Sequence, residues 1–189
     1  MRKHILIDFD STCVPTHDAV LKLYREQTND YSTELNDETL EWNMGKVCPL
    51  WTPEDIDNVF ANPKLFQYLE LFPNVNEVIR LLKFDGHIIE GLTLHRIEGV
   101  IIKKAWIYQN MPHVDKVTVL PIYKNQPFKF DKSSVIGDVI IDDKIECLVT
   151  NPSKIKICYG NYSWNKDWDG YRVTNWLELY DLLKILLKD

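Results

Sequence analysis

At 189 residues, with 45% apolar and 26% charged side chains, the chain has the composition of a soluble globular protein with one sizeable core and room for a small insert. A net charge of −6 argues against a sequence-independent grip on nucleic acid, which needs a basic surface. It leaves a nucleotide substrate open, because one metal ion and one lysine invert a local field. No run approaches the roughly 20 apolar residues that span a bilayer, so no membrane partner is expected. The basic start Met1-Arg2-Lys3-His4 reaches Asp8 too soon for a signal peptide. Cys13, Cys48, Cys147 and Cys158 are widely spaced and contain no Cys-x-x-Cys pair, which points to reduced thiols in a cytoplasmic protein.

Taken in order, Ile5-Leu6-Ile7 reads as a buried strand that ends at Asp8, with Asp10 two positions on. Strand alternation places these two carboxylates on one side. Anions that close repel each other unless a cation or a shared proton offsets the charge, and Mg²⁺ accepts carboxylate, backbone carbonyl and water oxygens. Ala19, Val20, Leu23 and Tyr24 predict a helix from Thr16 to about Gln27, followed by a polar loop, Thr28 to Asp37. A short helix is expected over Glu38 to Met44, ended by Gly45. Thr52-Pro53-Glu54-Asp55 opens another, with a capping threonine, proline at the first helical position and acids in the first turn. That helix carries Ile56, Val59 and Phe60 and stops near Asn62-Pro63. Residues 14–71 are therefore read as a small helical cap, rich in aromatics, inserted after the first strand into a core made of residues 1–13 and 72–189.

From Pro73 the pattern becomes regular. Asn74 and Glu77 suggest a capping box, Val75, Val78, Ile79 and Leu82 one apolar face, and Gly86 the helix end. His87 to Thr93 reads as the second core strand, interrupted by Glu90-Gly91. Ile97 to Asn110 reads as a helix, Lys116 to Leu120 as a strand and Tyr123 to Lys132 as a connector. Val135 to Asp143 is a second apolar run ending in paired acids, and Ile155 to Cys158 is read as the last strand. Gly160 to Gly170 is an aromatic loop, and Asn175 with Glu178 suggests the box that opens a closing helix. Strands alternating with helices imply a parallel sheet covered on both faces, a Rossmann-like α/β fold.

Parallel neighbours lie about 4.8 Å apart, so Asp8 and Asp143 can share one metal at the sheet edge. Between them in sequence come Thr93 at a strand end and Lys132 just before the acidic strand. A hydroxyl and an ammonium beside a metal-bound carboxylate are what a phosphoryl group requires, since they neutralise its oxygens and align phosphorus for in-line attack. A signalling receiver domain uses similar residues, but there the acid pair comes first; here it comes last.

The order Asp8-Phe9-Asp10-Ser11-Thr12, Thr93, Lys132, Asp142-Asp143 resembles the four motifs of the haloacid-dehalogenase-like (HAD) phosphohydrolases. Asp131 to Lys144 and Lys103-Lys104-Ala105-Trp106 are similar to the 5′(3′)-deoxyribonucleotidases within that superfamily, and Asn161, Arg172 and Trp176 are weaker matches. Ser11 stands where many relatives have glycine, and Leu94 where a small or hydroxyl residue is common. The resemblance implies a Mg²⁺-dependent phosphomonoesterase acting on a small-molecule (deoxy)nucleoside monophosphate. Asp8 would be the nucleophile and Asp10 the general acid and base. Asp8, the Asp10 backbone carbonyl and Asp143 would hold the metal, with Asp142 in the layer behind, and Thr93 and Lys132 would hold the phosphate. Phe66, Trp51 and Trp42 are the candidates to stack on the base. A HAD phosphatase acting on a sugar phosphate and a non-catalytic HAD-like scaffold are the alternatives. A homodimer is compatible with all of this.

Overall fold

The structure, a computed structural model, describes residues 1–35, 40–124 and 129–188. Six parallel strands form its centre: β1 (His4–Ile7), β2 (Ile88–Arg96), β3 (Lys116–Ile122), β4 (Val139–Asp142), β5 (Ile155–Tyr159) and β6 (Tyr171–Val173), in the order β3-β2-β1-β4-β5-β6. β1 is central because Ile5, Leu6 and Ile7 are apolar towards both faces and at most 2% exposed, which requires cover above and below and a neighbour on each edge. Ile7 sits opposite Gly91 of β2 and Ile141 of β4. The chain runs outward to β3 on one side of β1 and to β6 on the other. The strand order therefore reverses beside β1 and β4, the place where open α/β sheets bind ligands. This is the expected Rossmann-like class.

Eight helices flank the sheet among the described residues: α1 (Thr16–Thr28), α2 (Met44–Val47), α3 (Pro53–Val59), α4 (Leu65–Tyr68), α5 (Val75–Phe84), α6 (Val100–Asn110), α7 (Ile145–Thr150) and α8 (Trp176–Leu186). In α5, Val75, Val78, Ile79 and Leu82 are buried as their spacing predicts. The α3 start is also as expected. Thr52 Oγ1 accepts from Asp55 N at 3.2 Å, Asp55 Oδ2 accepts from Thr52 N at 2.8 Å, and Pro53 fills the first position. Such a cap contributes about 1 kcal/mol.

Several boundaries differ from the sequence reading. Asn74 does not build a capping box: it adopts φ +67°, a left-handed conformation asparagine tolerates, and its side chain caps nothing. At α8 only half of the box forms. Asn175 Oδ1 accepts from Glu178 N at 3.0 Å, while Glu178 reaches back to Thr174 N at 2.8 Å. The helix expected over Glu38 to Met44 is displaced: residues 40–43 are not helical, and α2 begins at Met44 because Asn43 Oδ1 caps Gly45 N at 2.9 Å. The part of that expectation at residues 38 and 39 lies outside the described residues.

Glu90-Gly91 does not interrupt β2. Glu90 is buried but accepts from Thr118 Oγ1 at 2.6 Å and pairs with His4 and Lys116, each at 2.9 Å, so its charge is met within the sheet. β2 then continues three residues past Thr93, which is not a strand end. β4 is only four residues long, and Gly137, two positions before it, lies close against β1. A Cβ there would lie 2.7 Å from Leu6 Cγ and 3.0 Å from His4 O. Ile155–Tyr159 is followed by β6, so the expected last strand is the last but one.

Residues 14–71 leave and rejoin the rest of the chain at one point, where Phe72 N donates to Cys13 O at 2.8 Å. One apolar cluster runs from Val20, Leu23 and Val47 to Ile79, Val139 and Leu183 without a break. All four cysteine thiols are unpaired and buried. Among the described residues no helix is long and apolar enough to cross a membrane.

Candidate active site

Asp8 is the first residue beyond β1, and its N–H donates to Ile141 O at 2.9 Å, extending the ladder between β1 and β4. Asp142 ends β4 and Asp143 follows it. The two strand tips meet: one carboxylate oxygen from each of Asp8, Asp142 and Asp143 lies within 4.8 Å of the others, and all three residues are buried. Into this group projects Lys132, 1% exposed, whose Nζ donates to Asp8 Oδ1 and, at 2.6 Å, to Asp142 Oδ2. Asn151 Nδ2 fixes the segment around it by donating to Lys132 O at 2.8 Å and Val135 O at 2.9 Å.

Two of the three acids, Asp8 and Asp142, thus share one ammonium, and Asp143 lies beside them without an ion pair of its own among the described residues. Burial pushes Asp142 up to about 7, with Lys132 pulling it back and Asp8 raising it further. Asp143 is raised well above the carboxylate range, first by burial and then by the charges of Asp8 and Asp142. Its side chain accepts from Trp164 Nε1 at 2.8 Å, a neutral donor. Hard oxygen ligands with a surplus of buried negative charge suit a small divalent cation, so this donor set fits Mg²⁺. The Asp10 carboxylate is not in the group, so any share it takes in a metal comes through its backbone.

The Asp10 carboxylate belongs to a second cluster. Thr16 Oγ1 donates to Asp10 Oδ1 at 2.9 Å, and Lys103 Nζ donates to Asp10 Oδ2. The same ammonium donates to Thr93 Oγ1 at 2.9 Å and to Leu94 O at 3.3 Å. Burial raises the Asp10 carboxyl, but the charge and hydrogen bond of Lys103 and the bond from Thr16 outweigh it and hold the group below its ordinary value. Lys103 is fully buried and was not singled out as a site residue from the sequence. The register of α6 accounts for it: Lys103 and Ile107, one turn apart, are both buried, so the lysine occupies the face that packs on the sheet. A lysine there needs an anionic partner.

Ser11 links the two clusters at φ +54°, in the left-handed region that glycine adopts more readily than serine.

A cavity of about 540 Å³ opens over both clusters. Asp8, Asp10, Thr93, Lys132, Asp142 and Asp143 border it on the sheet side, and Trp42, Ile56, Asp57 and Phe60 on the side of residues 14–71. Of the three aromatic candidates, Trp42 lines it, 39% exposed, with Lys144 Nζ 4.1 Å from its ring centroid. Phe66 and Trp51 are not among its lining. Phe66 is buried against His95 at 6.0 Å, and Trp51 meets Tyr24 edge-on at 5.3 Å. His95 does line the cavity, and its Nε2 donates to Phe60 O at 2.7 Å.

His17, on α1, also borders the cavity and donates from Nε2 to Glu41 O at 3.0 Å. Burial holds its pKa down at about 4 against an ordinary 6.5, with the Glu41 carbonyl pulling the other way. Between those values the unfolded chain binds a proton that the folded protein refuses. Its contribution to stability therefore falls as pH drops from about 6.5 and is constant above. The stability advantage of the wild type over His17→Gln is expected to shrink by about 2 kcal/mol between pH 7.5 and pH 5, read from urea midpoints. An advantage independent of pH would refute this.

The sequence profile of the family described as 5′ nucleotidase, deoxy (Pyrimidine), cytosolic type C protein matches residues 2–188. No sequence among the curated proteins matches the chain. Among solved structures, a predicted phosphatase from Clostridium acetobutylicum superposes with a TM-score of 0.65 at 15% identity, over 98% of this chain and 99% of that one. A HAD-superfamily hydrolase from Ehrlichia chaffeensis gives 0.54 at 11% identity over 100% of both chains. The HAD-hydrolase YfnB from Bacillus subtilis, bound to magnesium, gives 0.53 at 14% identity over 96% of this chain and 98% of that one. At such identities the structures speak for the fold, and the profile for the family. The protein is a phosphoric monoester hydrolase on a HAD-type fold, and it belongs to the family of deoxy (pyrimidine) 5′ nucleotidases of cytosolic type C.

Proposed function

We propose that the protein is a cytoplasmic, Mg²⁺-dependent nucleotidase that hydrolyses (deoxy)nucleoside monophosphates through an aspartyl-phosphate on Asp8. The observation that carries this reading is the meeting of Asp8, Asp142 and Asp143 around Lys132, beside a separate cluster of Asp10, Lys103 and Thr93. Asp8 and Asp143 would hold the ion through their carboxylates and Asp10 through its backbone carbonyl, with Asp142 fixed behind them by Lys132 and by Lys144 N at 2.9 Å. Bound there, Mg²⁺ supplies positive charge that lets an anionic nucleophile approach an anionic phosphate.

The chain's own groups do the rest. An oxygen of Asp8 forms a bond to phosphorus as the bond to the ribose oxygen breaks, and the leaving oxygen takes its proton from Asp10. Asp10 then removes a proton from the water that attacks phosphorus of the Asp8 acyl phosphate; the bond from phosphorus to the Asp8 oxygen breaks, which releases phosphate and restores the free carboxylate. Lys132, Lys103 and Thr93 surround the transferred oxygens with donors and stabilise the charge that builds there. In the free protein Lys103 keeps Asp10 ionised, the form required for the second step. The charge of an arriving phosphate dianion raises the Asp10 pKa and so favours the protonated form required for the first.

Residues 14–71 act as the cap that reads the rest of the substrate, with Trp42 and Phe60 offering aromatic surface to a base. A phosphate-release panel of deoxyribo- and ribonucleoside monophosphates and sugar phosphates, with and without Mg²⁺, tests the proposal. Mg²⁺-dependent release from nucleotides ahead of sugar phosphates is expected. Release from sugar phosphates alone would overturn the substrate class, and no release from any ester would overturn the reading altogether.

A further inference from the structure

Trp164 takes no part in the steps above, yet its N–H ends on a carboxylate of the acidic group, donating to Asp143 Oδ2 at 2.8 Å. Its indole is held flat. Tyr162 stacks on it at 4.6 Å and 13°, His17 at 5.2 Å and 18°, and Trp42 meets it edge-on at 5.5 Å. The segment that carries it is anchored on both sides. Tyr162 Oη donates to Ser11 O at 2.9 Å, and Asn165 Nδ2 donates to Asp143 O at 3.0 Å and Tyr159 O at 3.1 Å. Arg172 on β6 donates in turn to Asn165 Oδ1 at 2.8 Å.

Packing alone explains a stacked indole but not where its single donor points. The terminal torsion of an aspartate is broad, so a carboxylate without a fixed partner samples many planes. One N–H fixed at Oδ2 restricts that plane, in a carboxylate that has an oxygen within 4.8 Å of one from Asp8. We propose that Trp164 is a positioning residue for the metal site: it sets the plane of the Asp143 carboxylate and, through its stack on His17, ties that plane to α1. This rests on the reading of the acidic group as a Mg²⁺ site.

Trp164→Phe keeps an aromatic plane beside Tyr162 and His17 and removes only the donor. It is expected to weaken Mg²⁺ binding by about 10- to 100-fold, the usual effect of losing a partner behind a ligand, with little change in melting temperature. Binding is read by calorimetry without substrate. In turnover, the Mg²⁺ concentration for half-activation should rise while the rate at saturating Mg²⁺ recovers, which general damage to the fold would not allow. Trp168→Phe is the control, because the Trp168 indole donates to the Tyr171 carbonyl at 2.9 Å and to no acid. Wild-type protein that binds no Mg²⁺ overturns the metal reading and this inference together. Wild-type binding matched within twofold by Trp164→Phe overturns the inference alone. Should the variant not fold, the indole ¹⁵N–¹H spectrum of the wild type decides: of six tryptophan signals, at least one is expected to move on adding Mg²⁺, and a spectrum in which none moves overturns the proposal.

Discussion

Asp8→Asn is expected to lower turnover by about four orders of magnitude or more while the protein stays folded, because an amide cannot attack phosphorus and removal of a nucleophile is among the costliest single changes. The stability half of this expectation follows from the charges. Asp8 and Asp142 share the Lys132 ammonium, and Asp143 lies beside both. Removing one negative charge from that crowd leaves Lys132 paired with Asp142 and relieves the repulsion that adds to burial in raising Asp142 and Asp143. The melting temperature should therefore hold or rise. Lys132→Met is the opposite case: it strips the one cation from buried acids and should cost stability outright. Melting curves of the two variants beside phosphate-release rates check the argument. Activity of Asp8→Asn within tenfold of wild type would remove Asp8 as nucleophile.

What the sequence made legible follows from how each feature is encoded. β1 and β4 could be read because a strand buried on both faces is a continuous apolar run, and Asp8 and Asp142 mark where each run meets the crevice. The meeting of Asp8 with Asp143 followed from strand adjacency alone. β6 was not legible, since three residues carry no period, and neither were the short α4 and α7. Asn74 failed as a cap because a side chain able to cap is equally able to sit in the left-handed region, and only the chain path decides between the two. Trp51 was singled out as an aromatic in the cap, but its ring serves the packing of α1 through Tyr24, a preference that composition cannot express. Lys103 was hidden differently. It is one of two adjacent lysines, and only the register of α6 tells the buried one from the exposed Lys104.

That register matters most for Asp10→Asn, which is expected to lose about 10²- to 10⁴-fold in turnover, the range for a general acid and base. Mg²⁺ binding should survive, because the Asp10 carboxylate stands apart from the acidic group and an asparagine keeps the backbone carbonyl; calorimetry checks this, and a collapse of metal affinity would refute the division of roles. Lys103 acts on the same carboxylate, so the two residues cannot contribute independently. Lys103→Gln removes the charge that holds Asp10 low, so the Asp10 pKa should rise and the acid limb of the rate profile should move to higher pH. In the Asp10→Asn background that carboxylate no longer titrates, and the same lysine substitution should shift no limb. It should then cost only the loss of a donor near Thr93 Oγ1, 2.9 Å from the ammonium. Losses that multiply independently in the double variant would mean that Lys103 serves the phosphate alone. A double variant less impaired than that product, with the limb fixed, would mean that it works through Asp10.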